Sequence, residues 1–451
     1  MSYEIHIKTK SSSSHLHDQD SLTDKGAAEE EHAGNCSHSS DEIVEFAPPD
    51  AKYAWFIAAA SFCNMASAIG IQNAFGVYQE YYLNDLYRDD SAVAISWIST
   101  LSTFCMCFGS IVTGKLTDKF GFRITCFAGA IMCGVALILA SFAHTLWQLI
   151  LAQGIMLGLG SALILSPSMS IVAQWHVKHR ILATGIAVSG CGLGGMVLTG
   201  AAQIMMGNIG YRWSLRVLGL LVASVSGSMS LIYKRRVSAS RNSNTKLLYS
   251  LCKDVRFLCI SSAVTLVNMG GYEPTLYVPT AVAMGGGSRA TSSDIVLMLN
   301  AGIAAGCILS SPLSAVLGPL TANMLSNIIS FVLIFVFLQG VKTIAGYFVF
   351  SAMFGALSSI YLAINTDILA KEFGTHVIAT SAGLSMACCG IGVLIGIPVQ
   401  GTLYETYDRP LNRFTAVTAW AGACFALASV CYTALRIIVV RRTKVSFFSK
   451  V

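Results

Sequence analysis

The sequence predicts an all-α membrane protein of twelve transmembrane helices in two six-helix halves. Three observations carry that prediction. Hydrophobic residues make up 54% of the 451-residue chain and charged residues only 12%, roughly half the charged share of a soluble globular protein. From Tyr53 onward apolar runs of about 20 residues recur, each long enough to cross the hydrocarbon core as a helix. The longest internal loop, 234–256, follows the sixth run and leaves six on either side. Forty glycines against nine prolines also suit helices whose backbones pack closely. This balance excludes collagen, a coiled coil, a disulfide scaffold and a nucleic-acid binder.

Residues 1–49 read as a disordered cytoplasmic tail. Ser11 to Ser14 stand in a row, Glu29, Glu30 and Glu31 in another, and five histidines are scattered among acids, too little apolar surface to order a chain. His15 and His17 beside Asp18 and Asp20 would hold a metal only weakly, and no metal or cofactor is expected. The tail has no apolar signal-peptide core, so the first span is expected to direct insertion. Asn35-Cys36-Ser37 fits a glycosylation acceptor but would lie on the unglycosylated side. The predicted spans fall near 54–79, 92–114, 124–143, 147–173, 181–206 and 213–233, making an amino-terminal half at 50–233. A cytoplasmic linker at 234–256 follows. The second half, 257–440, holds spans near 257–282, 295–317, 324–341, 344–368, 377–402 and 414–440, and 441–451 is a cytoplasmic tail.

Orientation follows from Lys and Arg, which concentrate in cytoplasmic loops. With both termini cytoplasmic, eighteen fall on the inner side and seven (Arg88, Arg212, Arg216, Arg289, Lys342, Arg409, Arg413) on the outer. The fourteen cysteines lie almost entirely in apolar stretches, Cys105, Cys107, Cys388 and Cys389 among them, and read as small buried hydrophobes. Trp97, Trp147, Trp175 and Trp420 stand near span ends, where they would anchor the membrane interface.

The loop after the second span reads Gly114-Lys-Leu-Thr-Asp118-Lys119-Phe-Gly121-Phe-Arg123. Its glycines permit a tight turn, and its charges could lock one conformation that transport breaks. The segment matches G-x-L-x-D-R/K-x-G-x-R/K, and by it the chain resembles the major facilitator superfamily. Three further stretches resemble the monocarboxylate-porter branch in its fungal members. They are Asp50-Ala-Lys-Tyr53-Ala-Trp55, Gln174-Trp175-His176 running on to Gly194-Gly195, and Gly210-Tyr-Arg212-Trp213-Ser-Leu-Arg216-Val-Leu-Gly219. The resemblance implies the major facilitator fold, with two pseudo-symmetric halves moving a solute by alternating access, and a gating role for Gly114, Asp118, Lys119, Gly121 and Arg123. There are departures. The cognate loop of the second half carries Ala315 and Val316 where the signature has Asp and a cation, and the eighth span lacks the Asp/Arg pair of mammalian monocarboxylate porters.

Ionisable residues at membrane depth are costly and usually functional. Glu273 lies deep in the seventh span between Gly270-Gly271 and Pro274, where a weakened helix could free it for proton exchange or substrate contact. Asp367, followed by Lys371, reads as an interfacial ion pair. Gln72, Asn73, Tyr78, Gln153, Asn268, Tyr272, Asn300, Tyr361 and Asn365 are uncharged candidates for a midplane site, each also suited to an interhelical hydrogen bond.

Neither HExxH nor GxSxG appears among the spans, which argues against a membrane-integral enzyme. A transporter-derived nutrient sensor would want more than a plain tail. The sequence favours a secondary transporter exporting a mostly apolar metabolite, with proton-coupled uptake of a monocarboxylate or vitamin as the alternative. Its expected partners are a small-molecule substrate, the lipid bilayer and, if coupled, protons. No nucleic acid is expected, and the protein would act as a monomer. The plasma membrane is the first location, a vacuolar or other internal membrane the second.

Overall fold

The computed structural model describes residues 50–82, 86–87, 92–236, 251–272, 277–279, 281–282, 289–337, 340, 343–373, 378–408 and 414–443. Among them there is no strand. Nine helices are apolar and long enough to cross a membrane, and two more are shorter. In chain order they are α1 (Lys52–Gln79), α2 (Ala94–Phe120), α3 (Phe122–Ala140), α4 (Leu146–Trp175), α5 (Arg180–Ser230), α6 (Val255–Gly271), α7 (Asp294–Leu317), α8 (Pro319–Phe335), α9 (Ile344–Phe373), α10 (Ser381–Asp408) and α11 (Thr415–Arg442).

Their boundaries follow from local chemistry. The 51 residues of α5 would reach about 75 Å at 1.5 Å per residue, more than twice the hydrocarbon thickness. The helix breaks at Gly210, whose φ of 79° and ψ of 164° leave the helical region. Two predicted spans are thus the limbs of one element. Gly121 and Gly318 have φ of 87° and 82°, a region that only glycine enters without strain, and each separates two successive helices. This corrects the reading of the signature loop. Gly114, Lys115 and Asp118 are helical, α2 runs on to Phe120, and the turn falls on Gly121 alone. In the second half Gly318 is the N-cap and Pro319 opens α8, because proline's fixed φ suits the first helical position. That moves the helix start five residues ahead of the predicted 324.

Helices α1–α5 form an amino-terminal group in which α1 packs on α4 and on the first limb of α5, while α3 packs on α4 and α5. In the carboxyl-terminal group α6 packs against α10 and α11, α7 against α9, and α8 against α11. The ends of α1, α2, α4 and α5 near Arg123 and Lys234 are here called the linker end, and on that side a polar knot ties α1, α4 and α5. Tyr233, fully buried, accepts from Asn64 Nδ2 at 2.8 Å, donates to Ser168 Oγ at 2.8 Å and lies 3.0 Å from Ser61 Oγ. Three helices therefore converge on one hydroxyl.

Two of the three stretches that resemble the porter branch, 50–55 and the one that opens at Gln174, meet beside this knot. The Asp50 carboxylate accepts from the backbone N–H groups of Val177 and Lys178 at 3.3 and 3.1 Å. Burial works the other way, yet those two donors hold the carboxyl below its ordinary range. Tyr53 donates to the Ile232 carbonyl at 2.7 Å and its ring lies 5.5 Å from that of Trp175. Trp175 is buried and donates to the Lys234 carbonyl, so it is a packing residue rather than the expected interface anchor. Trp147 and Trp97 are exposed, as anchors are.

Candidate functional site

Two seams join the helix groups. In the first, the first limb of α5 lies against α7. A Cβ on Gly185 would strike the Cys307 carbonyl, and one on Gly192 would strike the Asn300 carbonyl and approach the Ala304 nitrogen to 2.6 Å. Only glycine lets these backbones come so near. Further along, Asn73 Nδ2 of α1 donates to Asn300 Oδ1 of α7 at 2.9 Å. A Cβ on Gly195 would sit 2.7 Å from the first of these atoms and 2.8 Å from the second, so the missing side chain makes room for the bond.

The second seam sets α2 against α10. The Cys107 and Cys389 sulfurs lie 3.7 Å apart across it. Beside it, Tyr272 shares a hydrogen bond with Thr103 of α2. One turn back on α6, Asn268 accepts from the Tyr361 hydroxyl of α9 at 3.1 Å. Asn365 of α9 donates to Ser385 of α10 at 3.2 Å, and its buried Oδ1 has no donor among the described residues. Counting 1.5 Å per residue along each helix, these contacts form a ladder. It descends from Asn73–Asn300, farthest from the linker end, through Thr103–Tyr272 and Asn268–Tyr361, to Asn365–Ser385.

Below the ladder, towards the linker end, a cavity of about 20 Å³ lies between Ser110, Ser166, Met169 and Ser170 on one side and Asn365, Thr366 and Met386 on the other. It would hold a single water, far short of the several hundred Å³ an organic solute needs. The passage is closed here. Asp367, next along α9, is buried and points Oδ2 towards Lys371 Nζ at 3.8 Å, the ion pair expected from sequence.

Of the candidates, Asn73 and Asn300 are thus brought together, as are Asn268 and Tyr361, with Tyr272 and Asn365 on the same seam. Tyr78 and Gln153 are elsewhere. The Tyr78 hydroxyl lies 2.6 Å from Ser214 Oγ, and Gln153 accepts from Tyr82 at 3.0 Å. Both fasten the amino-terminal group internally. Gln72 makes only a 4.0 Å approach to Met106 sulfur. Glu273 lies outside the described residues.

The signature residues form a clasp. Asp118 pairs with Arg235 at 3.7 Å, both partly exposed, a contact worth about 1 kcal/mol or less. Arg235 also donates to the Thr117 and Asp118 carbonyls at 3.2 and 3.1 Å; the first already accepts from the Gly121 N–H, and both lie in the last turn of α2, where carbonyls run short of donors. Arg123 donates to the Tyr233 carbonyl, and Lys119 lies over the Phe120 ring. The charged partner is in the same helix group, so among the described residues the expected lock is a clasp within one group rather than a bridge between two.

Sequence reasoning missed Thr103, Ser385 and the Cys107–Cys389 contact, since a single hydroxyl or thiol in an apolar run carries no signal. The glycines 185 and 192, seven apart on one helix face, did carry one. The ladder is uncharged and is flanked by Met106 and Met169, adaptable apolar surfaces. Such a lining suits a largely apolar solute bearing a few hydrogen-bonding groups.

The comparisons with known proteins agree with this geometry. A family model described as the Major Facilitator Superfamily matches residues 56–397. The MFS-type transporter pynF of Aspergillus niger is 30% identical over 353 residues, 78% of this chain and 81% of that protein. The aspyridones efflux protein apdF of Emericella nidulans is 29% identical over 85% of this chain and 78% of its own. The agnestins efflux protein AgnL12 of Paecilomyces divaricatus is 26% identical, covering 86% and 90%.

Proposed function

The chain belongs to the major facilitator superfamily, and on that premise we propose that it exports a mostly apolar organic metabolite by alternating access. It is a transporter and not an enzyme. The observation that carries the reading is the pair of seams, crossed by glycine contacts and by the uncharged Asn73–Asn300 and Thr103–Tyr272 bonds and shut at the linker end. Contacts of that kind separate cheaply, because among the described residues no ion pair within 4 Å spans the groups and none has to be broken when they part. Two relatives whose names state efflux of a metabolite, apdF and AgnL12, support the direction.

Several further points belong to this proposal. The limbs of α5 and the shorter α6 and α8, added to the other apolar helices, give twelve crossings divided six and six by the linker. The excess of Lys and Arg at the linker end supports a cytoplasmic position for that end and for both termini, so that the seal at Ser110, Ser166 and Asn365 would lie on the cytoplasmic side. The plasma membrane and a monomeric state suit export by this fold. Proton coupling would fall to Glu273, the acid that the sequence sets deep in the seventh span. The likeness to the monocarboxylate-porter branch extends to sequence and not to cargo, since the charge pair of that branch is missing from α7.

Untargeted metabolite profiling of the host, with the protein deleted and then overproduced, tests the reading. One compound should rise inside the cell on deletion and in the medium on overproduction. Protein-dependent disappearance of an external nutrient, with no such compound, would replace export by uptake.

A further inference from the structure

The two helix groups differ at equivalent stations on the linker end. Gly121 and Gly318 each close one helix and open the next with nearly the same φ. Three residues before the first is Asp118, which with its neighbouring carbonyl engages Arg235 just beyond the last limb of its group. Three residues before the second is Ala315. No acid is offered there, and the cation at the end of the last helix, Arg442, borders an open cavity of about 320 Å³ instead.

That cavity is lined by Arg256 of α6, Lys371 and Glu372 of α9, and Arg442 of α11, over an apolar floor of Leu320, Ile368 and Val439. Arg256 is committed to the wall, bonding Asp254 at 2.7 Å and Glu372 at 3.0 Å. Its bonds hold the Asp254 carboxyl below the usual range. Lys371 reaches Asp367 only at 3.8 Å and is half exposed. Arg442 has no anionic partner within 4 Å among the described residues. Two cations therefore stand over a space large enough for a guest, next to apolar side chains at a membrane boundary.

We propose that this cavity binds a phosphate-bearing anionic group, with Lys371 and Arg442 as its ligands, while Arg256 neutralises the Glu372 carboxylate that shares the wall. Basic pockets between transmembrane helices take up phosphorylated lipid head groups in this way, and a free phosphate would use the same donors. The site is separate from the solute seam, and its occupancy does not depend on what the protein transports.

The test uses the purified full-length protein in phosphatidylcholine nanodiscs, titrated with a fluorescent short-chain phosphatidylinositol 4-phosphate. Saturable binding is expected, absent with the matching phosphatidylcholine probe. Each of Lys371→Gln and Arg442→Gln should weaken it roughly fivefold, the factor equivalent to about 1 kcal/mol per basic side chain. Lys371→Arg should retain binding, and Arg212→Gln at the opposite end should not change it. Competition by inorganic phosphate at comparable concentration would assign the site to a soluble anion, and indifference to it would assign the site to lipid. Equal binding by wild type and the Lys371→Gln, Arg442→Gln double variant, or none by wild type, overturns the proposal. Unchanged thermal unfolding of the variants in phosphatidylcholine guards against misfolding as the cause.

Discussion

Replacing Gly192 by alanine is expected to lower transport about five- to a hundredfold, while Gly200→Ala on the same helix leaves it at the wild-type rate. A methyl group at 192 would meet the carbonyl of Asn300 and the nitrogen and Cβ of Ala304, whereas nothing lies within 4 Å of one at 200. The obstructing atoms are mostly backbone, so no rotamer change relieves the clash. Overpacking of this kind costs about 1–3 kcal/mol. Here the cost falls only on the state in which α5 and α7 are in contact. It shifts the equilibrium away from the sealed linker end by roughly five- to a hundredfold. The measurement is efflux of the compound found by profiling, from cells with matched amounts of folded protein, together with thiol labelling of the linker-end seam. Wild-type efflux by Gly192→Ala would show that the seam is looser than its geometry implies.

The second large effect is expected at Asn73 and Asn300. Asn300 is buried, and its Oδ1 receives the Asn73 amide across the groups. Asn300→Ala leaves the half-buried Asn73 amide without its acceptor, at about 1–2 kcal/mol, and transport should fall about tenfold. Asn73→Ala should do the same. The double variant should be no worse than the poorer single one, because the two changes remove one interaction. Additive losses would mean that each residue meets the solute separately and that their bond is incidental.

How much of this was legible in the sequence varies with the kind of signal. Apolar length found the spans, since a bilayer imposes one scale on every crossing helix. It could not see that Gly210 interrupts a continuous helix instead of sitting in a loop, because the exception is a single backbone angle. The signature motif marked the right loop, yet the turn fell at its last glycine, since helix propensity carries Lys115–Phe120 onward until a residue able to take positive φ appears. Asp50, Tyr53 and Trp175 were legible as a resemblance but not as neighbours, because three distant segments converge only when α1, α4 and α5 pack. Single polar residues in apolar runs were the hardest to sort. Asn73 and Asn300 face the seam while Tyr78 and Gln153 face an internal core, and the helix face presented is decided by partners the sequence does not announce.

The central claim is that the two helix groups part at the linker end during transport, and the thiols of Cys107 and Cys389, 3.7 Å apart across that seam, test it most directly. In a functional variant retaining only these two cysteines, copper phenanthroline would take two electrons from the pair and two protons would leave as the disulfide forms. Efflux should stop when the bond forms and return when dithiothreitol breaks it, while variants with either cysteine alone should ignore both treatments. Full efflux from quantitatively cross-linked protein would contradict alternating access across this seam.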